Sequence, residues 1–172
     1  NKVTTAGLAP EELRGMYRGL GGERIVSIHQ SFRNSRATAE ALRMVRGELA
    51  ELDIHLFDTE HLTAGFTVQV LEAAKAVKAG IGHEELCRLL ERNRRATRHL
   101  GAVYDLFFLN RSGRLGLAKA VLGTAMKVIP LLSSTGESCV IRSIGKARTS
   151  FQVNARFVEL MAADMEQARA GR

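Results

Sequence analysis

The strongest constraint in this sequence is a repeated change of hydrophobic period. Two short runs rich in β-branched and aliphatic residues, Arg24–His29 (RIVSIH) and Ile54–Phe57 (IHLF), flank a segment of helical spacing. Between Ser35 and about Leu52, apolar residues recur as Ala41, Leu42, Met44, Val45, Leu49 and Leu52, the spacing of one helix face. Strand, helix, strand in that order predicts parallel pairing, because parallel strands need a long crossover.

The same alternation extends on both sides. Pro10 followed by Glu11 and Glu12 opens a helix, with proline in the first turn and acids at its positive end. It is expected to end near Gly19, before Gly21 and Gly22. Two more helices are predicted, Leu62 to about Ala79 and His83 to about Arg98. Beyond that point the pattern becomes mixed. A strand is expected at Gly101–Leu106, a helical turn to Asn110, and a small-residue helix at Leu117–Thr124. Strands at Val128–Leu132 and Ser138–Ile144, joined by a Ser134–Glu137 hairpin, precede a last helix over about Thr149–Ala168. The fold class is therefore α/β. An open parallel sheet with flanking helices is expected over 1–100, and a smaller mixed α/β lobe over 101–172.

Composition narrows the class. The 172 residues are 45% hydrophobic and 25% charged, which suits a globular chain with a real core. No apolar run is long enough to cross a bilayer, and no segment has the pattern of a secretion signal, so a cytoplasmic protein is expected. Cys87 and Cys139 read as buried, reduced thiols. The net charge of +7 raises the alternative of a nucleic-acid-binding regulator. Against it stand the absence of any DNA-binding motif, the missing Trp and an aromatic content of only 5%. The arginine cluster from Arg88 to Arg98, interrupted by Glu91, reads mainly as a solvated helix face. His29, His55, His61, His83 and His99 lack metal-ligand spacing, and no metal is expected. His55 reads as structural.

Ligands of open α/β sheets bind outside the carboxyl ends of the strands. Here the first strand ends at His29 and leads through Ser31 to Ser35, which opens the next helix. The second strand ends at Asp58-Thr59, and Thr4-Thr5 precede the first helix. Hydroxyls beside helix N-termini favour an anion, although Ser35 also fits a plain N-cap. Ser31 or Ser35 as the nucleophile of a serine hydrolase is a weaker alternative, since no Gly-x-Ser-x-Gly elbow is present. Arg111 and Arg114 flank Gly113 in a tight turn, which reads either as a fork for a carboxylate or phosphate, or as a solvated surface turn.

Several stretches together resemble the DegV family. Leu106 to Leu115 is similar to its Leu-Glu-Tyr-Leu-x-x-Gly-Gly-Arg-Ile motif, and Ala118 to Gly123 to its Lys-Ala-x-x-Leu-Gly. Lys127 to Leu132 is similar to Ile-Lys-Pro-Ile-Leu, and Phe57-Asp58-Thr59 with Gly65 to Ile-Asp-Ser and its downstream glycine. The resemblance implies a two-lobed, non-enzymatic carrier that binds a long-chain fatty acid and presents it to a fatty-acid kinase for acyl-phosphate formation, without a cofactor. It places Thr5 on the family's Thr-Ser-Gln-Pro, and Ser31 and Ser35 on its Ser-Ser-x-Leu-Ser-Gly-Thr, as ligands of the carboxylate. His29 and Thr59 stand beside them, and Arg114 matches the Gly-Arg pair. Arg111 and Arg148 are candidates for partner contact. Leu106, Phe107, Phe108, Val121, Leu122, Ile129 and Leu131 are candidates to line the acyl tail or to form plain core. Ala6 and Arg36-Ala37 depart from the family's motifs. The family's opening Asp-Ser turn and closing His-x-Gly-Pro have no counterpart, so a piece of a longer protein is expected.

Overall fold

The structure is a computed structural model that describes residues 7–22, 24–105, 128–134 and 140–170. Backbone contacts divide the chain into two compact units, one carrying the residues up to His99 and the other Leu100–Ser134 with the chain from Ile141 onward.

The first unit is a two-stranded parallel sheet between helix pairs. Its elements are α1 (Pro10–Gly19), β1 (Arg24–His29), α2 (Arg36–Glu48), β2 (Asp53–Asp58), α3 (Thr63–Lys78) and α4 (His83–Ala96). β1 and β2 pair in parallel, from Arg24 opposite Asp53 to His29 opposite Asp58. Strand residues alternate between faces. Ile25 and Ile54 pack with Leu13, Tyr17, Leu42, Val45 and Leu49 of α1 and α2. Val26, Ile28 and Phe57 pack on the opposite face with Ala73, Leu86 and Leu90 of α3 and α4. Both faces of the sheet are thus covered, as parallel pairing requires. Helix α1 starts as its sequence demands, with Pro10 in the first turn and the Glu12 carboxylate accepting the Ala9 N–H at 2.8 Å. Arg14 then ties α1 to Glu48 of α2.

The second unit holds β3 (Leu100–Ala102), β4 (Ile129–Ser133), β5 (Arg142–Ala147) and a long helix, α5 (Ser150–Ala170). The three strands form an antiparallel sheet in the order β3-β4-β5. Leu131, Ala147 and Val153 form its core. The mixed α/β architecture, parallel in one part and antiparallel in the other, is the expected one.

Three details differ from expectation. The strand expected at Ser138–Ile144 runs from Arg142 to Ala147 instead. Its register with β4 is broken by a bulge between Leu131 and Leu132, opposite Gly145, whose φ of +149° only glycine adopts readily. The strand expected at Gly101–Leu106 is a three-residue edge, Leu100–Ala102. Ser35 occupies the N-cap position of α2 but makes no side-chain cap bond, with φ −133° and ψ 53°. The helical turn before Asn110, the helix at Leu117–Thr124, most of the hairpin after Ser134, and Cys139 lie outside the described residues. Among those described, no helix is long and apolar enough to cross a membrane.

The α2 contribution to the first core centres on Leu42, which is fully buried. Leu42→Ala removes that packing and leaves a cavity, at an expected cost of about 2–5 kcal/mol. The drop in urea midpoint at constant slope measures it.

Candidate functional site

The candidate site lies where β1 and β2 end side by side. Two loops leave that edge, Gln30–Ser35 and Thr59–Leu62, and a dense polar network holds them together. The Thr59 N–H and hydroxyl both donate to the His29 carbonyl, at 3.0 and 2.8 Å. The Ser31 N–H donates to the His61 carbonyl at 3.0 Å. The Asp58 carboxylate spans the two loops, accepting the Phe32 N–H at 3.1 Å and the Glu60 N–H at 2.8 Å. Burial pushes the Asp58 carboxyl above its ordinary value, while the Glu60 and Phe32 N–H bonds and the Arg94 charge pull the other way.

The second loop is strained. Glu60 and Thr63 adopt positive φ values of 53° and 44°, a region costly for a β-branched residue. His61 fixes this shape from inside. It is buried, and its ring nitrogens face the Thr59 carbonyl at 2.7 Å and the Thr97 carbonyl at 3.1 Å. Gln69 of α3, also buried, donates to the Thr59 and Gly65 carbonyls. Gly65 is required here by close approach, since a Cβ at that position would stand 2.9 Å from the His61 ring.

The first loop carries the more open chemistry. Tyr17, Ser27 and His29 form a chain, with Tyr17 Oη 2.8 Å from Ser27 Oγ and Ser27 Oγ 2.7 Å from His29 Nε2. Tyr17 is buried and has no other partner among the described residues. A Tyr17 O–H that donates to Ser27, with Ser27 donating to His29 Nε2, satisfies the phenol proton. In that order the proton of neutral His29 lies on Nδ1, which has no partner among the described residues. Burial pushes the His29 pKa down to about 4, so the ring is neutral near pH 7. Phe32 lies between His29, with ring centroids 5.8 Å apart, and Arg43, whose guanidinium carbon is 5.3 Å from the Phe32 centroid.

The structure thus brings together His29, Ser31, Ser35 and Thr59. Their states differ. Thr59 is buried and its hydroxyl is engaged by backbone carbonyls, so it locks the loops to one another. Ser31 is buried as well, and its Oγ accepts a bond from Asn34 at 3.1 Å, leaving its own O–H without an acceptor among the described residues. Ser35 is half-buried with its hydroxyl unspent by the helix it precedes. Thr5, Arg111 and Arg114 lie outside the described residues. Arg148 belongs to the second unit, where it is exposed and its N–H donates to Gln152 Oε1 at 2.8 Å. Of the tail-lining candidates, Leu131 is core of that unit and Ile129 packs against it, while the other five lie outside the described residues.

Sequence reasoning missed three contributors. Asp58 was legible only as a strand end, and Gln69 was not singled out. Arg94 does not belong to a solvated face. It lies 5.6 Å from the Phe57 ring centroid, pairs with Glu91 at 2.6 Å and Glu60 at 3.8 Å, and reaches the Asp58 carbonyl. Cys87 is partly exposed rather than buried. His55 is exposed and contacts the His83 and Phe57 rings. Among the described residues, no group of His, Cys, Asp or Glu is arranged to hold a metal ion.

Two predictions follow from this geometry. Gly65→Ala pushes a methyl against a ring that is pinned at both nitrogens, and an overpacking cost of about 1–3 kcal/mol is expected in urea melts. For His29, the folded pKa of about 4 lies below the ordinary 6.5. Between those values the unfolded chain takes up a proton that the folded chain refuses. Stability is therefore full above the higher value and drains as pH falls towards the lower. His29→Gln is expected to flatten the fall in urea midpoint across that window, leaving a smaller slope from His99, which burial also depresses.

A family model for uncharacterised proteins of the DegV family matches residues 1–172. A DegV domain-containing protein of Streptomyces coelicolor is 31% identical over 163 residues, covering 93% of this chain and 57% of the relative. Protein DegV of Bacillus subtilis is 30% identical over 168 residues, covering 95% of this chain and 59% of its own length. The chain thus spans somewhat more than half the length of these relatives. Among solved structures, a fatty-acid-binding DegV family protein of Thermus thermophilus is similar with a TM-score of 0.79 at 26% identity, covering 91% of this chain and 55% of that one. DegV of Bacillus subtilis, described as a fatty-acid-binding protein, is similar with a TM-score of 0.75 at 30% identity, over 92% of this chain and 56% of that one.

Proposed function

Because the chain belongs to the DegV family, we propose that it forms part of a fatty-acid carrier whose carboxylate site is built on the ends of β1 and β2. The observation that carries this reading is the pair of donors beside β1, neither with a partner among the described residues: the hydroxyl of Ser35, which makes no cap bond, and the Nδ1–H of His29 in the Tyr17–Ser27 chain. A carboxylate taken out of water needs such donors. His29 offers one without a positive charge, because its ring is neutral near pH 7. Ser31 adds a second hydroxyl if its loop relaxes towards the ligand. Thr59 acts through the loops it locks. Thr5 and Arg114 join the head-group site on the strength of the family's motifs. The acyl tail supplies most of the affinity, about 0.8 kcal/mol for each buried methylene.

On this reading the protein moves the acid rather than transforms it. The bound carboxylate is presented to a fatty-acid kinase in the cytoplasm, which forms the acyl phosphate, and Arg111 and Arg148 are placed at that contact. No cofactor is needed, since a carrier makes and breaks no covalent bond.

The test is lipid extraction from purified full-length protein followed by mass spectrometry, which is expected to return a long-chain fatty acid in stoichiometric amount. Its reproducible absence would sink the reading. Ser35→Ala combined with Thr5→Ala is expected to weaken fatty-acid binding about tenfold or more with an unchanged melting curve, given the cost of an unpaired buried carboxylate. Unchanged affinity would remove those residues from the site.

A further inference from the structure

An open groove of about 550 Å³ runs between β2 and α4, away from the strand-end loops. His55 and Phe57 of β2 form its floor with Cys87, while Arg88, Arg92 and Arg95 of α4 form its rim. The rim is one helix stripe, at spacings of four and three residues. Its chemistry is uneven. Arg88 pairs loosely with Glu84 at 3.8 Å, and Glu91 is taken by Arg94 at 2.6 Å. Arg92 and Arg95 are exposed and have no acidic partner among the described residues.

The floor is also a sheet edge. Among the described residues, β2 pairs with β1 and with no other strand. Among the described residues, the outer side of β2 therefore carries ladder N–H and C=O groups without a strand partner. His55, Arg88, Arg92, Arg95 and Ala96 are all exposed, so the groove is a trough rather than an enclosed cavity. A trough along a strand edge suits an extended segment better than a compact small molecule.

We infer that this groove takes an extended acidic segment of a partner protein, added as a strand to the outer edge of β2 with its carboxylates on Arg92 and Arg95. Side chains of an added strand alternate, so every second one would point to the α4 side. From Arg92 to Arg95 the helix rises about 4.5 Å. Acidic residues at alternate positions of a strand repeat at about 6.8 Å, a difference of about 2 Å that two long arginine side chains span. Arginine forks match carboxylates in geometry as well as charge. A nucleic acid fits less well, because Glu84, Glu85 and Asp53 stand along the same helix and strand, and Phe57 is too buried to stack on a base. This inference rests on β2 and α4 alone and does not depend on the carrier reading.

Fluorescence anisotropy of the full chain tests it, with a short labelled peptide alternating valine and glutamate as probe. Saturable binding is expected, and the Arg92→Glu, Arg95→Glu double variant is expected to lose about tenfold or more in affinity. Both positions are exposed, and an unchanged circular-dichroism melt checks that the variant folds. The same peptide with alternate backbone amides methylated is expected to bind far more weakly. Equal binding by wild type and double variant overturns the inference. So does equal binding of the methylated peptide, which would mean that the rim takes charge without strand pairing. A labelled oligothymidylate that binds in place of the peptide, and is lost in the same variant, overturns the choice of partner.

Discussion

The candidate site depends on one carboxylate. Asp58 ends β2, and its two oxygens accept the N–H of Phe32 from one loop and of Glu60 from the other. Loops after parallel strands have no ladder to hold them. Here Asp58 joins both loops through one side chain across 26 residues of sequence separation, beside the bonds of Thr59 to His29 and of Ser31 to His61. The link is partly buried, and burial alone would favour the neutral acid, which accepts less strongly. The Glu60 and Phe32 N–H bonds pull the other way, and Arg94 of α4, which also bonds the Asp58 carbonyl, adds a smaller pull in the same direction. The strained residues Glu60 and Thr63 fall within the segment that Asp58 and His61 over-determine, which is where such backbone persists.

The local elements of the first unit were legible because each was written twice, in periodicity and in punctuation. RIVSIH reads as a strand from its branched residues, and Pro10 with Glu11 and Glu12 reads as a helix start from backbone chemistry. The strand ends, and so the edge on which a ligand would sit, follow from these. What was not legible is everything made by contacts between distant residues. Ser35 is a natural cap in sequence, yet its backbone angles lie outside the extended region and its hydroxyl makes no cap bond. Gln69 is one of several polar residues of its helix, and nothing in the sequence sets it apart until its amide is seen on the carbonyls of Thr59 and Gly65. The shift of β5 depends on a bulge opposite β4, which no single-strand pattern encodes.

The family motifs and the physical reading supply different parts of the same site. Motifs pick out Thr5 and Ser35 first as carboxylate ligands, then Ser31, with Thr59 beside them. Geometry separates them, because Thr59 spends its hydroxyl on backbone and Ser35 does not. Geometry also adds the Tyr17–Ser27–His29 chain, whose members lie on a helix and a strand with no motif between them. The chain makes sense of a buried tyrosine that would otherwise hold a stranded proton. Its by-product is a directed donor at the strand end.

The positive charge of the chain divides in the same way. A cluster of arginines on one helix invites a single explanation, yet α4 turns them to two faces. Arg94 faces Phe57, with its side chain 23% exposed, and is satisfied by Glu91, Glu60 and a backbone carbonyl. Arg92 and Arg95, one and four residues after Glu91, line a groove and have no acidic partner among the described residues. An arginine in the first group shapes the fold, and its loss is felt as misplacement of the Asp58 loop. An arginine in the second group has no acidic partner among the described residues, so it stays hydrated, and a ligand that draws it out of water has to bring its own carboxylate. Helical spacing decides between these fates before any partner is considered.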